Sequence, residues 1–175
     1  RKKHRIFGIT KAYTTRVGSG PFPTELDDSI GNHIGDKGQE FGTVTKRKRR
    51  CGWFDANLVN QSVKISGVTD IILTKLDVLD ELEFIKVCIG YTLGGKEYDY
   101  LPMNEISQFL VKPVYKILPG WQEETFNTKY WEKLPKNAQE YILFLESIVK
   151  VNISIISTGP ERNQTIDRNN ILNTI

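Results

Sequence analysis

The sequence predicts an α/β fold: a mostly parallel central sheet with flanking helices and an antiparallel hairpin excursion. Three observations predict it. Residues 70–74 (DIILT) form a short apolar run of the kind found in strands covered on both faces, and residues 151–156 (VNISII) form a β-branched run. Stretches with helical periodicity alternate with them, the order that places helices against a parallel sheet. Two strand-like segments also flank Gly94-Gly95, a pair suited to a tight hairpin turn.

Taken in order, residues 5–13 (RIFGITKAY) read as a strand. The loop that follows, TTRVGSGPFP, holds two Gly and two Pro within six residues, which forbids regular structure and leaves backbone N–H groups at Val17, Gly18, Ser19 and Gly20 approachable by a ligand. Thr24 is placed to cap a helix carrying Leu26, Ile30 and Ile34 and ending near Gly35 or Gly38. The basic stretch VTKRKRRCGWF (44–54) then forms a connection. Asp55 caps a second helix with Leu58, Val59 and Val63 on one face. After the central strand 70–74, residues 83–91 and 96–101 form the hairpin, and 112–118 form a further strand ending at Pro119-Gly120-Trp121. Pro135 opens the clearest helix, with Ala138, Tyr141, Ile142, Leu145, Ile148 and Val149 repeating at steps of three and four. The strand 151–156 runs into the polar turn STGPER.

A chain of 175 residues forms one domain with a sizeable core. Its 39% hydrophobic and 26% charged composition is that of a globular protein without a membrane span, so it reads as soluble and cytoplasmic, with no membrane partner. The charge is uneven. Arg1, Lys2, Lys3 and Arg5, with Lys46 to Arg50, supply nine of the 24 cations, and the remaining residues carry 15 cations against 21 acids. Positive charge confined to two short runs on an acidic body suits a small-anion site better than a nucleic-acid track. Cys51 and Cys88 have no metal-ligand spacing and read as reduced core thiols. The chain begins at Arg1 with no apolar leader and reads as a piece of a longer protein.

Two strands end in polar loops, Lys75-Leu76-Asp77 and Ser157-Thr158-Gly159-Pro160. Ligands of open α/β sheets bind outside the carboxyl ends of strands, so neighbouring strands would make these loops one pocket. A carboxylate at Asp77 can accept two parallel N–H bonds from a guanine edge while the Lys75 stem lies along the ring; the competing reading is a solvated ion pair. The basic run admits three readings: solvated surface, a nucleic-acid or localisation patch, or a clamp on a small carboxylate or phosphate. Arg47 and Arg49 alternate, so in an extended loop both forks converge on one ligand. His33 reads as a half-buried helix residue, His4 belongs to the basic leader, and no general acid–base pair suggests itself.

KAYTTRVGSGPFPTEL, GQEFGTVTKRKRRCGWFDA, GVTDIILTKLDVLD, PGW and ISTGPER resemble, in order and spacing, blocks from the C-terminal portion of adenylosuccinate synthetase, over essentially the whole chain. The resemblance implies the C-terminal part of a single large domain (1–175) of a GTP-dependent ligase that joins IMP and L-aspartate, with magnesium, to form adenylosuccinate in purine biosynthesis. In that family GTP phosphorylates the 6-oxygen of IMP after an aspartate base removes the N1 proton, and the amino group of L-aspartate then displaces phosphate.

Carried over by position, Lys75, Leu76 and Asp77 with Ser157, Thr158, Gly159 and Pro160 imply the guanine site of GTP, and Arg49 approaches the GTP side. Thr43, Val44, Thr45, Lys46, Arg47, Lys48 and Arg49 imply the L-aspartate loop, and Val17 with Arg47 the IMP ribose contact. Lys46 departs from the family pattern, which has Gly there. The phosphate loop, the catalytic base and acid, and the magnesium ligand are expected in the N-terminal portion, so no catalytic or metal-binding residue is assigned here and the chain alone is expected to be inactive. Implied partners are IMP, L-aspartate, GTP and the N-terminal portion of the same enzyme; a homodimer is compatible with the family habit. The alternatives are an inactive nucleotide-binding or interaction remnant and a basic nucleic-acid-binding module.

Overall fold

The computed structural model describes residues 4–172; Arg1, Lys2 and Lys3 of the basic leader lie outside them. Its central sheet has the order β1 (Phe7–Lys11), β5 (Asp70–Thr74), β9 (Asn152–Ser157), β10 (Thr165–Asp167). The first three strands are mutually parallel and β10 is antiparallel to β9. β5 covers the expected 70–74, because a continuous apolar run gives a central strand something to bury on each face: Ile71 and Leu73 are buried and Ile72 is half-buried.

Antiparallel pairing dominates a second sheet, in which β6 (Phe84–Leu93) pairs with β7 (Lys96–Tyr98) and β8 (Lys112–Pro119), and β4 (Phe54–Asp55) joins β6 in parallel. The β6–β7 turn has φ +57° at Gly94 and +79° at Gly95, values that side-chain-bearing residues seldom adopt. A two-stranded ribbon, unforeseen in the sequence, pairs β2 (Thr14–Arg16) with β3 (Arg50–Gly52), so the end of the basic run is a strand rather than a connection.

Among the described residues four α-helices flank these sheets. α1 spans Ser29–Lys37 and is capped by Asp28, whose carboxylate accepts from Gly31 N at 2.9 Å. The expected cap, Thr24, is instead buried, and its carbonyl accepts from Trp53 N. Leu26 therefore lies outside the helix, while Ile34 points into the core and Gly38 ends the helix as expected. α2 (Ala56–Ser66) starts at the predicted cap: Asp55 accepts from Leu58 N, and Gly67 at φ +66° stops it. Its apolar face is Val63 with Val59; Leu58 turns outward, because the Asp55 cap fixes the helix phase. The short α3 (Glu105–Leu110) was not signalled by periodicity and leaves Ile106, Phe109 and Leu110 exposed. α4 (Lys136–Val149) buries Ala138, Tyr141, Ile142, Leu145 and Val149 as its spacing predicts, with Pro135 in the cap position just before it.

No helix among the described residues is long and apolar enough to cross a membrane. β1 forms one edge of the central sheet, and its Ile9 is 73% exposed beside an apolar groove lined by Val59, Val63 and Val68.

Candidate functional site

Because β1, β5 and β9 are parallel neighbours, the loops leaving their carboxyl ends lie on one side of the sheet. After β5 the chain turns sharply. Lys75 has φ +62°, its ammonium donates to Gly38 O at 3.0 Å at the end of α1, and a 3-10 turn follows over Leu76–Leu79. Cation and helix C-terminus suit one another electrostatically. Leu76 is fully buried, which leaves only its backbone for a ligand, whereas Asp77 is half-buried on a cavity of about 520 Å³. Lys37, Asp80, Glu81, Gln122, Glu123, Glu124 and Phe126 complete that cavity. Burial, with the neighbouring Asp80 charge, pushes the Asp77 carboxyl above its ordinary range, Lys75 and Lys37 acting in the opposite sense.

Asp80 is not free for a ligand. Its carboxylate accepts from Trp121 Nε1, Thr125 N and Thr125 Oγ1, each at 2.7 Å, and so fixes the wall that carries Phe126.

The loop after β9 packs on that same wall. Thr158 is buried, its carbonyl accepts from Asn127 N, and its hydroxyl donates to Thr128 O. Ser157 donates to Gly159 O, and a Cβ at Gly159 would run into the Gln164 amide and the Phe126 ring. Pro160 is exposed. Phe126 thus lines the cavity with Asp77 and approaches Gly159, while Lys75, Leu76 and residues 157–160 are not themselves among the residues lining that cavity.

The basic stretch forms a closed turn rather than the extended loop expected. Gly42 N donates to Arg47 O, Lys46 N donates to Gly42 O, and Phe41 bridges Lys48. Thr43, Val44, Thr45 and Lys46 sit at the exposed tip, with Lys46 at φ +54°. Arg47 and Arg49 line a small cleft with Arg16, Val17, Gly18, Gly42 and Thr45, but so do Lys48 and Arg50 between and beside them, so the cleft is lined by the whole run rather than by one alternating face.

The cations of this stretch are unequally engaged. Arg50 makes a two-pronged pair with Glu25 at 2.7 and 2.6 Å and also donates to Gly18 O and Gly20 O, tying the glycine loop in place. Lys48 pairs with Asp36 and Asn32 on α1. Arg49 donates through Nη1 to Glu40 at 3.0 Å. The Arg47 guanidinium has no protein partner among the described residues.

Glu40 and Asp80 are the residues that sequence reasoning missed. Glu40 is 2% exposed and accepts from Lys11, Tyr13 and Arg49. Burial acts to raise its carboxyl, but the Lys11 and Tyr13 bonds and the Arg49 pairing outweigh it and hold it below its usual range. No local pattern marks such a residue, since its partners lie 29, 27 and 9 positions away.

The thiols are poor nucleophiles. Burial, reinforced by Glu40, lifts Cys51 to about 11, and burial, reinforced by Asp55, lifts Cys88 to about 12. His33 is half-buried on α1 with Nε2 3.6 Å from Glu81. Among the described residues no three His, Cys, Asp or Glu side chains are grouped to hold a metal ion.

The family model for adenylosuccinate synthetase matches residues 1–166. A solved structure of fully ligated adenylosuccinate synthetase from Plasmodium falciparum superposes with a TM-score of 0.90 at 39% identity. The match covers 94% of this chain and 40% of that one, so the chain spans well under half the length of its relative.

Proposed function

The chain belongs to the adenylosuccinate synthetase family, and on that premise we propose that it supplies the guanine pocket and the L-aspartate loop of a GTP-dependent ligase joining IMP to L-aspartate. The observation that supports this reading is the parallel pairing of β5 with β9, which brings the loops after both strands to one side of the sheet, with Phe126 lining the Asp77 cavity and approaching Gly159. The ring edge of guanine carries two adjacent N–H donors, and Asp77 is a half-buried carboxylate of this cavity wall that can accept from them, whereas Asp80 is already engaged. A cavity so rich in acids favours a base edge over a phosphate, which leaves the nucleotide's anionic end to point elsewhere.

The Val17 cleft is the complementary environment. Arg47 and Arg49 bind the two carboxylates of L-aspartate, and the Val17 backbone, steadied through Arg50, meets the IMP ribose. The pairing of Arg50, Arg49 and Lys48 with carboxylates of their own supports a local anion site over a nucleic-acid track. In this reading the chain binds and orients, with the proton-transfer and phosphate-handling groups and the magnesium ligands supplied by the preceding portion of the enzyme. No step of the reaction is assigned to metal held by this chain.

The test has two parts. The 175-residue chain alone is expected to form no adenylosuccinate, and addition of a separately expressed N-terminal portion is expected to restore GTP-dependent synthesis. In the restored enzyme, Asp77→Asn should lower the preference for GTP over other purine nucleotides by about tenfold, the effect of one good two-bond base contact. No rescue would favour an inactive remnant, and an Asp77→Asn enzyme with unchanged GTP preference would refute the guanine assignment.

A further inference from the structure

We propose that Glu40 is a positioning residue for the dicarboxylate loop: its buried carboxylate holds the Arg49 guanidinium by one nitrogen and so aims the remaining N–H groups into the cleft beside Val17 and Arg47. The inference rests on the aspartate-loop reading above.

Three features carry it. Glu40 is itself fixed: its N–H donates to Gly35 O and its carbonyl accepts from Arg49 N, both at 2.8 Å, at the closed base of the turn. Its side chain is clamped by the Tyr13 hydroxyl at 2.6 Å and the Lys11 ammonium at 2.8 and 2.9 Å. The grip on Arg49 is single-pronged, through Nη1, so Nη2 and Nε stay available to a ligand. A guanidinium fixed at one corner loses less freedom on binding than one that swings unattached.

Charge accounting points the same way. Glu40 cancels only one of Lys11 and Arg49, so the hub stays net positive, and Arg47 and Arg16 add positive charge to the same cleft. A net positive cleft suits a dianionic dicarboxylate. The opposite role, in which Glu40 competes with the ligand for Arg49, would suit an acid gripping both prongs from a mobile tip. Glu40 grips one, from the interior.

The test compares wild type with Glu40→Gln in the reconstituted enzyme. The KM for L-aspartate is expected to rise about tenfold, more than the KM for GTP, whose side Arg49 also approaches, while kcat stays within about twofold, because only the orientation of Arg49 is lost. In double-mutant cycles Glu40→Gln is expected to add nothing to Arg49→Lys and to be additive with Arg47→Lys, a pattern that general loosening of the fold would not give. An unchanged or lowered KM for L-aspartate, or additivity with Arg49→Lys, overturns the proposal.

Should Glu40→Gln fail to fold, Tyr13→Phe removes one donor without unpairing a charge. It is expected to raise the same KM by about two- to threefold, and no change would refute the role. A wild-type reconstitution without aspartate-dependent turnover refutes the functional reading instead. The chain alone then decides the positioning through the Arg49 Nη–H signals in NMR: slow exchange with solvent in wild type and fast exchange in Glu40→Gln support it, and equal rates refute it.

Discussion

Lys46 occupies the left-handed region at φ +54° on the exposed tip of the basic turn, where the resemblance leads one to expect Gly. A side chain there costs roughly 1–2 kcal/mol, of which the greater unfolded-state freedom of Gly would return only part. Lys46→Gly should therefore stabilise the protein by about 0.5–1 kcal/mol in urea unfolding. A loss of stability would show that the lysine side chain makes a contact outweighing its backbone strain. Sequence patterns reveal residues of this kind unevenly. The Asp55 cap and the Lys75–Asp77 strand end could be read locally, because cap and strand-end chemistry is written within a few positions. Glu40 and Asp80 could not, because each draws its partners from segments distant in the chain.

At the scale of elements, strong periodicity or a bounded apolar run made the difference. β5 and α4 were placed to within a residue, since a run of five and a repeated three-and-four spacing each admit one burial pattern. α1 began four residues later than expected, because Thr24 was drawn into a turn beneath Trp53 and Asp28 took the cap. The β2–β3 ribbon was invisible, as its strands are short and joined across more than thirty residues. α4 is the element whose packing is most easily tested. Leu145 is fully buried against the sheet, and Leu145→Ala should cost about 2–5 kcal/mol of unfolding free energy. A cost under about 1 kcal/mol would mean that the core collapses to fill the space left.

For the molecule as a whole, the sequence revealed that two strand-end loops leave the same side of the sheet, whereas the segment carrying Phe126 beside them was beyond its reach. Phe126 lies on an irregular segment with no periodicity to announce it. The same whole-molecule view explains the exposed edge. Among the described residues β1 pairs only with β5, and it presents Ile9 beside an apolar groove, while Met103, Ile106 and Phe109 are exposed elsewhere. Exposed apolar surface next to an open sheet edge promotes association. The isolated chain should therefore sediment in a concentration-dependent manner, and Ile9→Lys should reduce this without lowering the unfolding midpoint. A chain that stays monomeric at all concentrations would contradict this.

The Tyr141 hydroxyl donates to Ala12 O at 2.7 Å, from within a helix wholly remote in sequence. Ala12 leads directly into Tyr13, which clamps Glu40, and onward to Val17 in the cleft. Helix and cleft floor are accordingly joined by this bond and by the core that Ala12, Tyr13 and Tyr141 share, so on the proposed reading a substitution that tilts the helix is expected to alter ligand grip with every cleft side chain intact.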